Sequence, residues 1–246
     1  MATKITQNKR KQPAKKKPTD FKAKLFRFLF KAFIWFFGVS IFFVVLFKFV
    51  PVPFTPLMVV RAIENKSAGK EIYFSHDWVP LENISVNLQK AVIASEDGYF
   101  LKHNGFDFKA MQKAYKSNER GRRIKGGSTI SQQTAKNVFL WQGRSYLRKG
   151  LEAYFTVLIE IVWGKERIME VYLNSIEMGN DVYGAQAAAE HWYRKDAANL
   201  TPIQAAGIAA ILPNPKKFSA TSSSSYINNR KAKILRVMRH VGRIRY

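Results

Sequence analysis

VNLQKAVIASEDGYFLKHNG, residues 86–105, joins a helical pattern of apolar residues to two adjacent acids and a glycine. The apolar side chains recur at helical spacing over Val86–Ser95, and Gly98 can end that helix. Glu96 and Asp97 therefore fall at a helix C-terminus, where the negative end of the helix dipole raises the pKa of a carboxyl group. A raised pKa suits a general base. The alternative is a pair of ordinary solvated acids at a helix end.

Helical periodicity continues through most of the sequence that follows. Further helices are predicted over Arg148–Trp163, Lys165–Asn174, Gly184–Trp192, Thr201–Leu212 and Arg230–Val241. Thr201 and Asn229 are the expected N-caps of the last two helices. Residues 71–80, EIYFSHDWVP, alternate in part and indicate one short strand or turn. The sequence predicts a mainly α domain with a long cleft.

An apolar run near the N-terminus predicts a membrane anchor. Residues 1–27 form a basic arm with ten Lys or Arg and one acid, and Ala32 to Phe47 is 16 residues without a charge. We interpret residues 28–50 as one transmembrane helix and 51–246 as the following domain. A cleaved signal peptide is the alternative, but no small-residue cleavage site follows the run. The basic arm predicts a cytoplasmic N-terminus, a single pass of the plasma membrane and an extracytoplasmic domain.

Composition limits the chemistry of this 246-residue chain. It contains no cysteine, which excludes disulfides, thiolate metal sites and a thiol nucleophile. Residues 51–246 hold 29 Lys and Arg against 16 Asp and Glu, so the domain is basic without the arm. A basic domain attracts phosphates on nucleic acid, lipid headgroups or a pyrophosphate substrate, and charge alone does not choose among them.

A second polar stretch, GGSTISQQTAKN at residues 126–137, follows the basic residues 120–125. Its side chains suit a sugar pyrophosphate, which needs many hydrogen-bonding groups and a cation. The candidates are Ser128, Thr129, Gln132, Gln133, Lys136 and Asn137. No Walker A motif is present. The alternative is a capped helix start, in which Ser128 or Thr129 is the cap.

The third candidate segment, RSYLRKGLE, covers residues 144–152. On a helix, Arg148 and Lys149 lie four and three residues before Glu152, so they share its face. With Arg144 nearby, these cations around one acid could hold a diphosphate. The alternative is a surface ion pair of little energetic value.

Together these segments resemble the peptidoglycan glycosyltransferases of glycosyltransferase family 51. Five motifs match in order: Glu96-Asp97-x-x-Phe100-x-x-His103-x-Gly105, Gly127-Ser128-Thr129-Ile130-x-Gln132-Gln133-x-x-Lys136-Asn137, Arg148-Lys149-x-x-Glu152, Lys165-x-x-Ile168-x-x-x-Tyr172-x-Asn174 and Arg230-x-x-x-Ile234-Leu235-x-x-Met238. The match covers residues 75–240. Because no transpeptidase sequence follows, the resemblance is to the monofunctional type.

The resemblance implies a lysozyme-like, mainly α fold and the polymerisation of lipid II. It makes Glu96 the catalytic base and Glu152 the organiser of the pyrophosphate leaving group. Asp97, Phe100, His103 and the polar and basic residues above would bind substrate. A divalent cation, Mg²⁺ or Mn²⁺, could act at the pyrophosphate, with Glu152 as its candidate ligand. Expected partners are lipid II, the growing lipid-linked glycan strand and the membrane, with cell wall synthesis or division proteins as further candidates and no nucleic acid.

Two other functions fit parts of this pattern. A membrane-anchored hydrolase of the lysozyme type would also use two carboxylates, although a neutral glycan has less need of Lys136 and Arg148. A protein that binds nucleic acid or anionic membranes by charge alone would not need Glu96.

Overall fold

The computed structural model describes residues 21–71, 74–119 and 127–246. Most of the basic arm and the basic residues 120–125 lie outside this part of the chain. The chain divides after Phe42 into two compact units.

The N-terminal apolar segment forms one helix, α1, over Phe21–Phe49. Its 29 residues span about 44 Å at the rise of an α-helix, and by length and composition it is able to cross a membrane. The helix starts seven residues before the span predicted at 28–50 and ends one residue earlier. The boundaries between arm, span and domain remain predictions.

The second unit is built mainly from helices. Among the described residues they are α2 (Pro56–Ser67), α3 (Val86–Glu96), α4 (Phe108–Glu119), α5 (Ile130–Phe139), α6 (Tyr146–Val162), α7 (Gly164–Ser175), α8 (Ala185–Tyr193), α9 (Pro202–Ile211) and α10 (Ser225–Met238). The predicted mainly α class is confirmed.

Local sequence signals placed most of these helices correctly. Thr201 caps α9 and Pro202 occupies its first turn, as predicted. The prediction for the last helix was wrong, because α10 begins at Ser225 with Ser224 as its N-cap, and Asn229 lies inside it. Helices α2 and α4 were not predicted. Pro56 is the first residue of α2, where proline is well tolerated.

A small sheet supplements the helices. It contains β1 (Ser75–His76), β2 (Glu177–Gly179) and β3 (Val182–Tyr183), in the order β1-β3-β2. β1 runs parallel to β3, and β2 pairs with β3 as a hairpin. Asp181 in the hairpin turn has a left-handed backbone, with φ of 57°. The sheet therefore includes the short strand that was predicted between residues 71 and 80.

The core of the second unit lies where α3, α9 and α10 meet and where α5 packs on α6 and α7. Leu88, Ile130, Ile159, Ile168 and Ile208 are fully buried there. This packing brings the C-terminus of α3 next to α5, so that the first two polar motifs of the sequence lie side by side.

Candidate active site

Glu96 is the last residue of α3, and its side chain is half-buried. Its Oε2 accepts a hydrogen bond from Gln133 Nε2 at 3.2 Å. Burial raises the pKa of Glu96, and the Gln133 bond and the charge of Arg230 oppose that rise in part. The raised pKa of Glu96 agrees in direction with the prediction from its place at a helix end, but its largest cause is burial.

Gln133 connects Glu96 to the core of the domain. Its Oε1 accepts a hydrogen bond from the hydroxyl of Tyr172 at 3.3 Å, and Tyr172 is buried in α7. The two bonds of the amide fix its orientation, since the NH₂ end faces Glu96 and the carbonyl end faces Tyr172. Gln133 therefore holds the carboxylate of Glu96 in place.

Asp97 links the first polar motif to the second. Its carboxylate oxygens lie 3.0 Å from His103 Nε2, and Oδ2 also accepts the backbone N–H of Ile130 at 3.0 Å. Asp97 is only 6% exposed. Its carboxylate joins α3 to the start of α5, and its side chain also lines the cleft beside Glu96. His103, half-buried, is the partner of that carboxylate. That Asp97 binds substrate stays a prediction.

Gly105 permits close contact between the first motif and α6. Its φ is +88°, and a Cβ at this position would lie 2.8 Å from Thr156 Cγ2 and 3.1 Å from Glu160 Cγ. Both the backbone conformation and the lack of space require glycine. The carbonyl of Gly105 in turn accepts a hydrogen bond from the Thr129 hydroxyl at 2.6 Å.

Phe100 is a core residue, and its side chain is 0% exposed. Its role as a substrate-binding residue stays a prediction, which this burial does not favour. Lys165 Nζ lies 4.6 Å from the centre of its ring and 2.7 Å from Glu160 Oε1. The same Glu160 oxygen accepts the hydroxyl of Ser131. Phe100 and this polar network thus fix the first motif against α5, α6 and α7.

Thr129 and Gln132 form a capping box at the start of α5. The Thr129 hydroxyl accepts the N–H of Gln132 at 3.2 Å, and Gln132 Oε1 accepts the N–H of Thr129 at 3.0 Å. Both residues are 2% exposed. The alternative of a capped helix start, with Thr129 as the cap, is confirmed. That Thr129 and Gln132 bind substrate stays a prediction.

A cleft of about 280 Å³ opens beside Glu96. The exposed Ser128 lines it, together with Lys109 and Lys113 of α4. The two lysines did not enter the sequence prediction, although their spacing of four residues is the signal of a shared helix face. This cleft therefore places cations close to the candidate base.

Glu152 lies at the centre of the predicted cation cluster on α6. Its Oε2 accepts a hydrogen bond from Arg148 Nη1 at 2.9 Å, and its Oε1 is paired with Lys149 Nζ. Glu152 is 3% exposed, whereas its partners reach towards solvent. Arg148 and Lys149 thus pair with Glu152 as their spacing on the helix predicts, and the acid is buried beneath the two cations.

Lys136 on α5 interacts electrostatically with both candidate carboxylates. Burial lowers its pKa, while the negative charges of Glu152 and Glu96 oppose that change. Lys136 also lines a second cleft, of about 170 Å³, with Asn137 and Gln133. The two acids that the sequence singled out therefore act on one buried cation.

The predicted divalent cation does not fit Glu152 as its ligand. Both carboxylate oxygens of Glu152 are already hydrogen-bonded to cations, and positive charge repels a metal ion. Among the described residues, no group of three or more His, Cys, Asp or Glu could hold a metal.

Arg144 lies exposed in the loop before α6.

The site also includes residues that the sequence prediction missed. Leu57, Gln142 and Glu177 line the Lys136 cleft, and Arg230 acts on Glu96 through its charge. They come from four separate parts of the chain, so no local spacing could have grouped them.

Comparison with known proteins agrees with this architecture. The family model described as transglycosylase matches residues 65–239. The chain is 53% identical over 209 residues to a protein of Bdellovibrio bacteriovorus named biosynthetic peptidoglycan transglycosylase, covering 85% of this chain and 84% of that protein. Proteins of the same name from Caulobacter vibrioides and Bacteroides thetaiotaomicron are 56% identical over 191 residues and 52% identical over 215 residues. The alignments cover 78% of this chain and 81% of the Caulobacter protein, and 87% of this chain and 87% of the Bacteroides protein. The predicted lysozyme-like, mainly α class is confirmed, and the chain belongs to the transglycosylase family.

Proposed function

We propose that this protein is a peptidoglycan glycosyltransferase that polymerises lipid II into β-1,4-linked glycan strands. The observation that carries the proposal is the placement of Glu96. Its carboxylate is half-buried and accepts a hydrogen bond from Gln133. Its negative charge also favours the protonated form of Lys136. The family and the relatives named biosynthetic peptidoglycan transglycosylase support the same reaction.

In the proposed reaction, Glu96 is the general base. It takes the proton from the 4-hydroxyl of the acceptor GlcNAc, and the oxygen forms a bond to C1 of the donor MurNAc. The bond from C1 to the pyrophosphate oxygen breaks, undecaprenyl pyrophosphate leaves, and the anomeric centre inverts. A base needs a pKa closer to neutral than an ordinary glutamate has, and the burial of Glu96 acts in that direction.

The cations would stabilise the pyrophosphate as negative charge develops on it. Lys136, Arg148 and Lys149 are the candidates, with Glu152 as the acid that orients the last two. Because Glu152 is buried and paired, its role is to place these side chains and not to transfer a proton. Ser128 and Asn137 offer further hydrogen bonds at the two clefts.

The apolar helix α1 supports an anchored enzyme that acts on a lipid-linked substrate. Enzyme and substrate would then share one membrane. The ten basic residues before the span support a cytoplasmic N-terminus and an extracytoplasmic domain. Lipid II and the growing strand are the proposed partners.

Fluorescently labelled lipid II provides the test. The full chain in detergent should convert it into polymer that lysozyme digests, and Glu96→Gln should form none above background while it keeps its helical circular dichroism. Release of fragments from finished cell wall without polymer would instead identify a hydrolase. Polymer formation by Glu96→Gln at the wild-type rate would remove Glu96 from the mechanism.

A further inference from the structure

One wall of the Lys136 cleft comes from α2, the helix that follows the apolar segment. Leu57 of α2 lines the cleft together with polar side chains of α5. The adjacent Met58 is only 1% exposed, which fixes this turn of α2 to the domain. The range matched by the family model begins at residue 65, so Leu57 precedes it. A segment outside the matched range therefore completes the cleft.

One turn further along α2, Arg61 faces Glu177 of β2. The distance between Arg61 Nε and Glu177 Oε1 is 4.0 Å, and the two side chains are 24% and 10% exposed. Both atoms are buried, and neither has a hydrogen-bond partner within the part of the chain that the structure describes. Separation of α2 from β2 would leave Glu177 as a buried charge without its nearest cation on α2, which is costly. The charge pair therefore favours a docked α2.

A second contact holds α2 on the same hairpin. Asn65 Nδ2 donates to Asp181 Oδ2 at 3.2 Å, in the turn between β2 and β3. Glu177 itself lines the Lys136 cleft. The hairpin thus connects the position of α2 directly to the shape of that cleft.

We propose that α2 is a substrate-binding wall of this enzyme: Leu57 contacts the apolar face of a sugar ring of the substrate, and Arg61 and Glu177 are positioning residues that hold it there. The inference rests on the proposed function. Sugar rings present C–H groups on one face and hydroxyls at their edges. The cleft matches that division, because Leu57, Ile176 and Leu212 are apolar while Gln133, Lys136 and Asn137 are polar.

The kinetic test compares Leu57→Ala, Arg61→Gln, Glu177→Gln and the double variant Arg61→Gln/Glu177→Gln in lipid II polymerisation. Each single variant should raise KM about fivefold with kcat within about twofold, because the lost contact binds substrate and transition state equally. The double variant should resemble either positioning variant alone, since both changes break one pair. The matched control is Glu64→Gln, which removes the exposed partner of Arg61 at 2.6 Å and should leave KM within about twofold.

A second measurement does not depend on activity. Hydrogen exchange of the α2 amides from Val59 to Asn65 should be faster in Glu177→Gln and in Asn65→Ala, with α9 unchanged. Absence of polymer from the wild type would refute the proposed function. The exchange measurement would still show whether Glu177 and Asn65 hold α2 against the hairpin. Unchanged exchange in α2 with unchanged KM would overturn the inference. Faster exchange in α9 as well, with kcat reduced, would make the pair a general stabilising contact and overturn it too.

Discussion

Gln133 Nε2 donates a hydrogen bond to Glu96 Oε2 across 3.2 Å, although the two residues are 37 positions apart in the chain. The carbonyl oxygen of the same amide accepts a hydrogen bond from the hydroxyl of Tyr172. A general base needs a fixed direction as well as a suitable pKa, and this contact supplies the direction. Side chains from three helices thus form one chain of hydrogen bonds that ends at the carboxylate of Glu96.

Glu96→Gln should abolish activity and slightly stabilise the protein. We expect polymerisation to fall at least ~10³-fold, because the amide accepts no proton. Since burial raises the pKa of Glu96, the folded state disfavours its charged form, and stability declines as pH rises through that pKa. The neutral variant should therefore melt ~1–3 °C higher at pH 7. Differential scanning fluorimetry measures the shift, and a lower melting temperature would contradict it.

Gln133→Met should shift the acidic limb of the pH–rate profile to higher pH. The Gln133 bond lowers the pKa of Glu96, so its loss leaves burial less opposed. We expect kcat to fall about tenfold from loss of orientation. A profile of kcat/KM against pH measures both effects; a limb that stays in place would show that Gln133 does not act on Glu96.

The wild-type pH profile should be bell-shaped. Activity should fall as pH drops through the pKa of Glu96, which lies above the ordinary 4.5. It should fall again as pH rises through the pKa of Lys136, which burial lowers from 10.5. Lys136→Arg should extend the alkaline limb, because arginine stays protonated. An alkaline limb at the same pH in both proteins would exclude Lys136 as its origin.

Arg148→Met should destabilise the domain more than Lys149→Met. Both cations pair with the buried Glu152, but the Arg148 side chain is 12% exposed and that of Lys149 is 46% exposed. We expect a loss of about 2 kcal/mol for Arg148→Met and under ~1 kcal/mol for Lys149→Met. Urea unfolding gives both values, and equal losses would contradict the difference in burial.

Thr129→Ala should cost stability. The loss should be about 2 kcal/mol, at the upper end for an N-cap, because the buried hydroxyl also bonds to Gly105. Thr201→Ala, at the exposed capping box of α9, is the matched control and should cost about 1 kcal/mol. A rise in KM for Thr129→Ala without a change in stability would contradict this and show that Thr129 contributes to substrate binding.

Features that depend on residues three or four positions apart could be predicted from the sequence. The Arg148–Glu152 pair and the Thr201 cap belong to this class, because a helix alone sets those neighbours. The apolar run of α1 could be predicted from its length and its lack of charge. The five motifs, taken together, also pointed to the correct family. The capping box at Thr129 could also be predicted from the sequence. Because a cap and a ligand site use the same hydrogen-bonding side chains, the sequence alone left both functions open.

Tertiary structure decided which polar and aromatic residues of the motifs are buried. Phe100 and Gln132 are buried, and Asp97 is bonded to the backbone of Ile130, 33 residues away. The cause of the raised pKa of Glu96 is likewise burial, which exists only after α3 packs beside α5. Helical periodicity and caps are local and therefore visible in the sequence, whereas desolvation and long-range hydrogen bonds arise only when distant segments meet.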